Sequence, residues 1–189
     1  MIMNRFLQKA MIVAVVVLTG TLVAFSANGQ TAGTANGPLS SADKHFMSNA
    51  AEGGLAEVEL GRMAAEKGSS QAVRDFGQRM VDDHSKANDQ LKDVAGRLGV
   101  SLPDHVSAAD EAEKAKLKAY SGEHFDRAYI SLMLRDHRND IAQFRRESRI
   151  GENREVRSFA SNTLPTLEQH LRLAQEAEHK LGGPARASR

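Results

Sequence analysis

The sequence predicts an all-α fold, a four-helix bundle with a short extra helix in the long connection between helices two and three. Three observations predict it. Along four segments, apolar or small residues recur at alternating steps of three and four, and each segment runs into a glycine. No stretch alternates apolar and polar residues with the two-residue period of a strand. The composition is aliphatic and small, with 5% aromatics and no Trp, which suits close helix packing better than a sheet.

The 189 residues suffice for one domain with a substantial core once the N-terminal segment is set aside. Residues 1–26 read as a secretory signal peptide. Arg5 and Lys9 make the start basic, an apolar run extends from Ala10 to Phe25, and Ala24-Phe25-Ser26 offers small residues for cleavage. The run falls short of the ~20 residues that span a bilayer comfortably. Membrane contact is therefore expected only through this segment, if it stays uncleaved. The mature chain is expected in the periplasm or outside the cell. Residues 27–40, rich in Gly, Ala, Thr and Asn, read as a flexible linker.

The bundle domain is assigned to residues 41–182. Helix one starts at Ser40 or Ser41, shows the stripe Phe46, Ala50, Gly53, Glu57, Leu60 and Ala64, and stops at Gly68. Ser69 or Ser70 recaps helix two, whose seam runs Val73, Phe76, Met80, His84, Ala87, Leu91, Val94 and Leu98 before Gly99 and Pro103 end it. A shorter charged helix covers Ser107 to Tyr120. Helix three carries Phe125, Tyr129, Met133, His137, Ile141 and Phe144 and stops at Gly151. Helix four carries Val156, Ala160, Thr163, Leu167, His170, Ala174, Ala177 and Leu181. Pro165 inside it should kink it or open its hydrogen-bond ladder. Gly182-Gly183-Pro184 closes it, and residues 183–189 read as a disordered tail.

A weak internal repeat supports two hairpins: Val73-Arg74-Asp75-Phe76 opens helix two, and Val156-Arg157-Ser158-Phe159 opens helix four. The Gly99–Gly122 connection is too long for a tight turn. With ~14 helical and about eight extended residues it reaches about 45 Å, enough to return the chain along the bundle and make helices two and three parallel. A simple up-down bundle with a capping helix is the other arrangement it allows.

Composition excludes several functions. Cysteine is absent, which removes disulfides, thiolate metal sites and Cys nucleophiles. Without its first 26 residues the chain has 23 basic against 24 acidic residues, so it carries no footprint for nucleic acid. No glycine-rich phosphate loop is present.

The informative exception lies on the seams, where each helix places one metal-competent residue: Glu57, His84, His137 and His170. Burying such groups unpaired costs several kcal/mol, so they need each other or an ion. With helices two and three parallel, His84 and His137 fall at one level, and Glu57 and His170 fall some 6 Å nearer one end. That spacing suits a single cluster or two linked half-sites. Asp83 and Asp136, each preceding a seam histidine, are candidate carboxylates behind the ligands. The chemistry admits Fe, Zn, Cu or Mn. The competing reading is a His–carboxylate packing network without metal. Met63, Met80 and Met133 read as core, and His45, His105, His124 and His179 as surface.

Several runs carry a family resemblance: Ala56-Glu57-Val58-Glu59-Leu60-Gly61, Phe76 to Met80-Val81-Asp82-Asp83-His84 with Asn88, Phe125 to Tyr129, Met133 with Asp136-His137, and Leu164-Pro165 with His170-Leu171. Together they resemble the exported bacterial family catalogued as domain of unknown function 4142, over roughly Ser41 to Leu181. The resemblance implies a ferritin-like four-helix fold and no particular activity. Ferritin-like di-iron centres use Glu-x-x-His pairs, whereas here Val81 stands three residues before His84 and Leu167 three before His170, so the carboxylate-rich di-iron site is missing. The sequence thus leads to a non-enzymatic envelope module that binds a partner or cell-wall component or serves in stress. The alternative is a metal-binding or metal-redox bundle built on the four seam residues.

Overall fold

The computed structural model describes residues 37–182, so the expected signal segment, nearly all of the linker and the C-terminal tail lie outside the described residues. Five helices account for the regular structure: α1 Ser41–Lys67, α2 Gln71–Leu98, α3 Ala108–Lys118, α4 Gly122–Ile150 and α5 Arg154–Lys180. Among the described residues there is no strand. None of these helices is long and apolar enough to cross a membrane.

The boundaries follow local chemistry. Ser40 caps α1 in a reciprocal box with Asp43, and Ser70, Ser107 and Asn153 cap α2, α3 and α5 with their side chains. Gly99 ends α2 in the left-handed conformation, φ 65°, which costs a residue without Cβ little. Pro165 sits inside a helix that stays continuous from Arg154 to Lys180.

The four long helices pair as two hairpins, α1 with α2 and α4 with α5, and the hairpins pack α2 on α5 and α1 on α4. Each hairpin turn is held by the other hairpin. Asp126, near the start of α4, accepts from the backbone N–H groups of Ser69 and Ser70 and from the Ser69 hydroxyl, each at 2.8 Å. Asp43, near the start of α1, accepts from the N–H groups of Glu152 and Asn153 at 3.0 and 3.2 Å. The repeat is structural too. Arg74 donates to the carbonyls of Gly68 and Ser69, and Arg157 donates to those of Gly151 and Glu152.

These staples fix the direction of the crossover. The start of α2 meets the start of α4, while the start of α1 meets the end of α4. Hence α2 and α4 run parallel, and the segment carrying α3 returns the chain lengthwise. One apolar cluster, around Phe76, Met80, Phe125 and Tyr129, fills the end near the 68–70 turn. A second, around Phe46, Leu91, Phe144 and Phe159, fills the other end. Between them lies the polar layer.

Candidate metal centre

The parallel run of α2 and α4 puts His84 and His137 at one level, and α1 and α5 bring Glu57 and His170 to it. All four are buried; His137 and His170 are fully so. The three imidazoles form a triangle with ring centroids 5.2, 5.2 and 5.7 Å apart. Each ring contributes one nitrogen to a set whose members all lie within 4.8 Å of one another. The arrangement is therefore a single cluster, with no separation into half-sites.

Every histidine is held from behind by an acceptor. His84 Nδ1 lies 2.9 Å from Glu57 Oε2, His137 Nδ1 lies 3.0 Å from the Met133 carbonyl, and His170 Nε2 lies 2.9 Å from Asp83 Oδ2. A carbonyl or carboxylate oxygen only accepts, so these three nitrogens carry the protons. In the neutral rings that leaves His84 Nε2, His137 Nε2 and His170 Nδ1 as lone pairs. His137 Nε2 and His170 Nδ1 face each other at 3.2 Å, and His84 Nε2 is buried without a hydrogen-bond partner. Three inward lone pairs in a buried layer repel unless a proton donor or a cation stands among them.

Burial favours the neutral form of His137 and His170. Burial pushes His137 below the ordinary imidazole range, with the Glu57 carboxylate opposing it and His84 adding to it. Burial likewise takes His170 to about 4, against its hydrogen bond to Asp83. Burial would raise Glu57, but a positive charge at His84 or His137, together with the His84 hydrogen bond, outweighs it and holds the carboxyl well below its usual range. Ionised Glu57 and unprotonated imidazoles suit a cation.

Each sequence-selected residue has a definite place. Glu57 stands behind the rings: Oε2 holds His84, and Oε1 lies 3.4 Å from His137 Nδ1. Asp83 stands behind His170. Asp136 turns to Arg135, 3.1 Å away, and among the described residues no hydrogen bond joins it to the cluster. Burial, partly offset by Arg135, takes its carboxyl up to about 6. Met80 and Met133 are core, and His45, His105, His124 and His179 are exposed.

Asp140 was not singled out by seam periodicity. It lines, with Glu57 and His84, a narrow cavity of about 40 Å³. A symmetry signal points to it. Positions 73 and 156 of the Val-Arg-x-Phe repeat, 43 and 126 of the turn staples, and 57 and 140 are each 83 apart. Asp140 is thus the counterpart of Glu57 in the second hairpin. Burial, then the Glu57 charge, pushes its carboxyl well above the ordinary range.

Fold and site together define an all-helical protein with a buried histidine triangle braced by carboxylates. The chain belongs to the family of the domain of unknown function DUF4142, whose profile matches residues 28–177. No curated protein matches it. Among solved structures it resembles a DUF305 fragment from Deinococcus radiodurans, with TM-score 0.65 and 20% identity over 77% of this chain and 98% of that one. It also resembles a DUF305 protein from Streptomyces coelicolor, which carries the word secreted in its name, with TM-score 0.64 and 16% identity over 78% and 98%. At these identities the likeness concerns the fold alone.

Proposed function

We propose that this chain is an exported, ferritin-like four-helix bundle whose task is to bind one transition-metal ion on His84, His137 and His170. The observation that carries the reading is the convergence of three buried imidazoles whose outer nitrogens are all committed to acceptors. In metal sites, such acceptors fix the tautomer and raise ligand basicity. Asp83, Glu57 and the Met133 carbonyl fill that role here. Three imidazole donors and no coordinating carboxylate move the balance among Fe, Zn, Cu and Mn away from Mn and towards Cu and Zn. Ligation at ~2.0–2.1 Å in a tetrahedral site places nitrogens about 3.4 Å apart. His137 Nε2 and His170 Nδ1 already lie 3.2 Å apart, so His84 is the ring that moves inward around an ion.

Binding fits better than turnover of an organic substrate. The cavity at the cluster measures about 40 Å³, against ~300–1,000 Å³ for a small-molecule site. An apolar envelope partner finds little purchase: Tyr120 and Ile150 are the large hydrophobics exposed among the described residues. Export rests on the basic start and short apolar run of residues 1–26.

Metal content of residues 27–189, purified from periplasm without an affinity tag, tests the reading. The expected result is about one equivalent of a single transition metal in wild type and none in a folded His84→Ala/His137→Ala variant. Sub-stoichiometric mixtures in both would leave a metal-free packing network.

A further inference from the structure

We infer that Asp140 is the capture point on the route by which a cation reaches the histidines, an inference that rests on the metal-binding reading above. The route is the narrow cavity between α1, α2, α4 and α5. Its lining starts at exposed Gln143 and half-buried Asn49 and ends at Glu57 and His84. Its wall is mixed: Phe46, Phe144, Phe159 and Leu167 stand beside polar side chains that include Asn88, and it contains two carboxyl groups and no Lys or Arg. The about 40 Å³ of space holds two to four water molecules at ~10–15 Å³ each, enough for a cation that has shed part of its shell.

The inner end is aimed at a ligand. His84 is buried, lines the cavity, and its Nε2 has no hydrogen-bond partner. The surroundings are charged in the right sense. Besides Glu57, the charges of Asp136 and Asp110 act on Asp140. Burial and the Glu57 charge favour a proton on Asp140; a cation beside the carboxyl opposes both, so the carboxyl ionises as the ion arrives and the proton leaves to solvent. Asp140 then offers an oxygen ligand midway, before the imidazoles take over.

Two other features make the assignment specific. Asp140 makes none of the ring-bracing hydrogen bonds, which belong to Glu57, Asp83 and Met133. In the repeat it stands where the first hairpin has Glu57, so the bundle interior presents one acid bracing the rings and one acid free of them.

The experiment is stopped-flow uptake of Zn(II), released from a fluorescent chelator, by apo wild type, Asp140→Asn and Glu176→Gln at one fixed pH. Glu176 is an exposed acid of α5 away from this cavity and controls for net charge. Asp140→Asn is expected to take up Zn(II) about tenfold more slowly and to reach the same stoichiometry. Glu176→Gln should match wild type. Stoichiometric uptake by all three at equal rates would overturn the route while leaving the site intact. No stoichiometric uptake by any would overturn the site and the route with it. Loss of stoichiometry in Asp140→Asn alone would make Asp140 a ligand and overturn its assignment to the route.

Discussion

On the proposed metal-binding reading, His170 ties protonation, stability and metal affinity together in one side chain. Its Nε2 donates to Asp83 at 2.9 Å, while Nδ1 turns inward. Asp83→Asn removes the acceptor charge that orients the ring, and loss of such a brace typically costs 10–100-fold in metal affinity. Competition against a chelator of known affinity should show that loss with stoichiometry preserved; unchanged affinity would mean Asp83 does not brace a ligand. The same ring sets a pH dependence. Its folded pKa is about 4, below the ordinary 6.5. Between those values the unfolded chain binds a proton that the folded one does not, so the apo protein loses stability as pH falls from 6.5 to 4. The loss approaches roughly 3 kcal/mol at about 1.4 kcal/mol per pH unit. Asp136 and Glu147, whose carboxyls are raised to about 6 and about 7, act in the opposite sense. Denaturant unfolding of apo wild type against His170→Asn cancels those carboxyls and isolates the ring. Parallel pH profiles in the two proteins would contradict the assignment.

Among the helices, α1 and α2 come together on glycine. A Cβ on Gly77 would lie 2.7 Å from the backbone of Gly61 and of Ala65, and one on Gly61 would lie 2.8 Å from the Gly77 carbonyl. Backbone cannot yield as a side-chain tip does, so Gly77→Ala should spread the hairpin and destabilise it by about 1–3 kcal/mol. Thermal unfolding checks this; an unchanged melting temperature would mean the hairpin has slack. Helix boundaries were legible in the sequence because serine and glycine act through local backbone chemistry: Ser40, Ser70 and Gly99 sit where the pattern puts them. The Gly61–Gly77 contact was not legible. A small residue on a seam looks alike whether it meets a side chain or a backbone. Pro165, expected to kink its helix or open its hydrogen-bond ladder, lies within a helix that continues from Arg154 to Lys180.

For the whole molecule, the direction of the crossover decides whether a site exists. Chain length allowed either a lengthwise return or a capping helix, and the choice is made by Asp126 and Asp43, which clasp the opposite hairpin's turn. Nothing in the periodicity of α1 or α4 announces those contacts: Asp43, in the first turn of α1, reads as a local cap, and Asp126, one turn into α4, reads as a solvated acid. The four polar seam residues were legible because buried ionisable groups break an apolar stripe. Their division of labour was not. Glu57 and the histidines look equivalent as seam positions, and only side-chain geometry sets Glu57 behind His84. Asp136 and Asp83 likewise look alike before a histidine. The helical phase then turns Asp83 to His170 and leaves Asp136 beside Arg135.

The central claim is that one ion sits among three inward imidazole nitrogens, and an anomalous difference map of crystals grown with Zn(II) tests it most directly. The account predicts one strong peak about 2.0–2.1 Å from His84 Nε2, His137 Nε2 and His170 Nδ1, with the His84 ring drawn inward to it. A triangle without a peak, with zinc held only at exposed histidines such as His45 or His105, would contradict it.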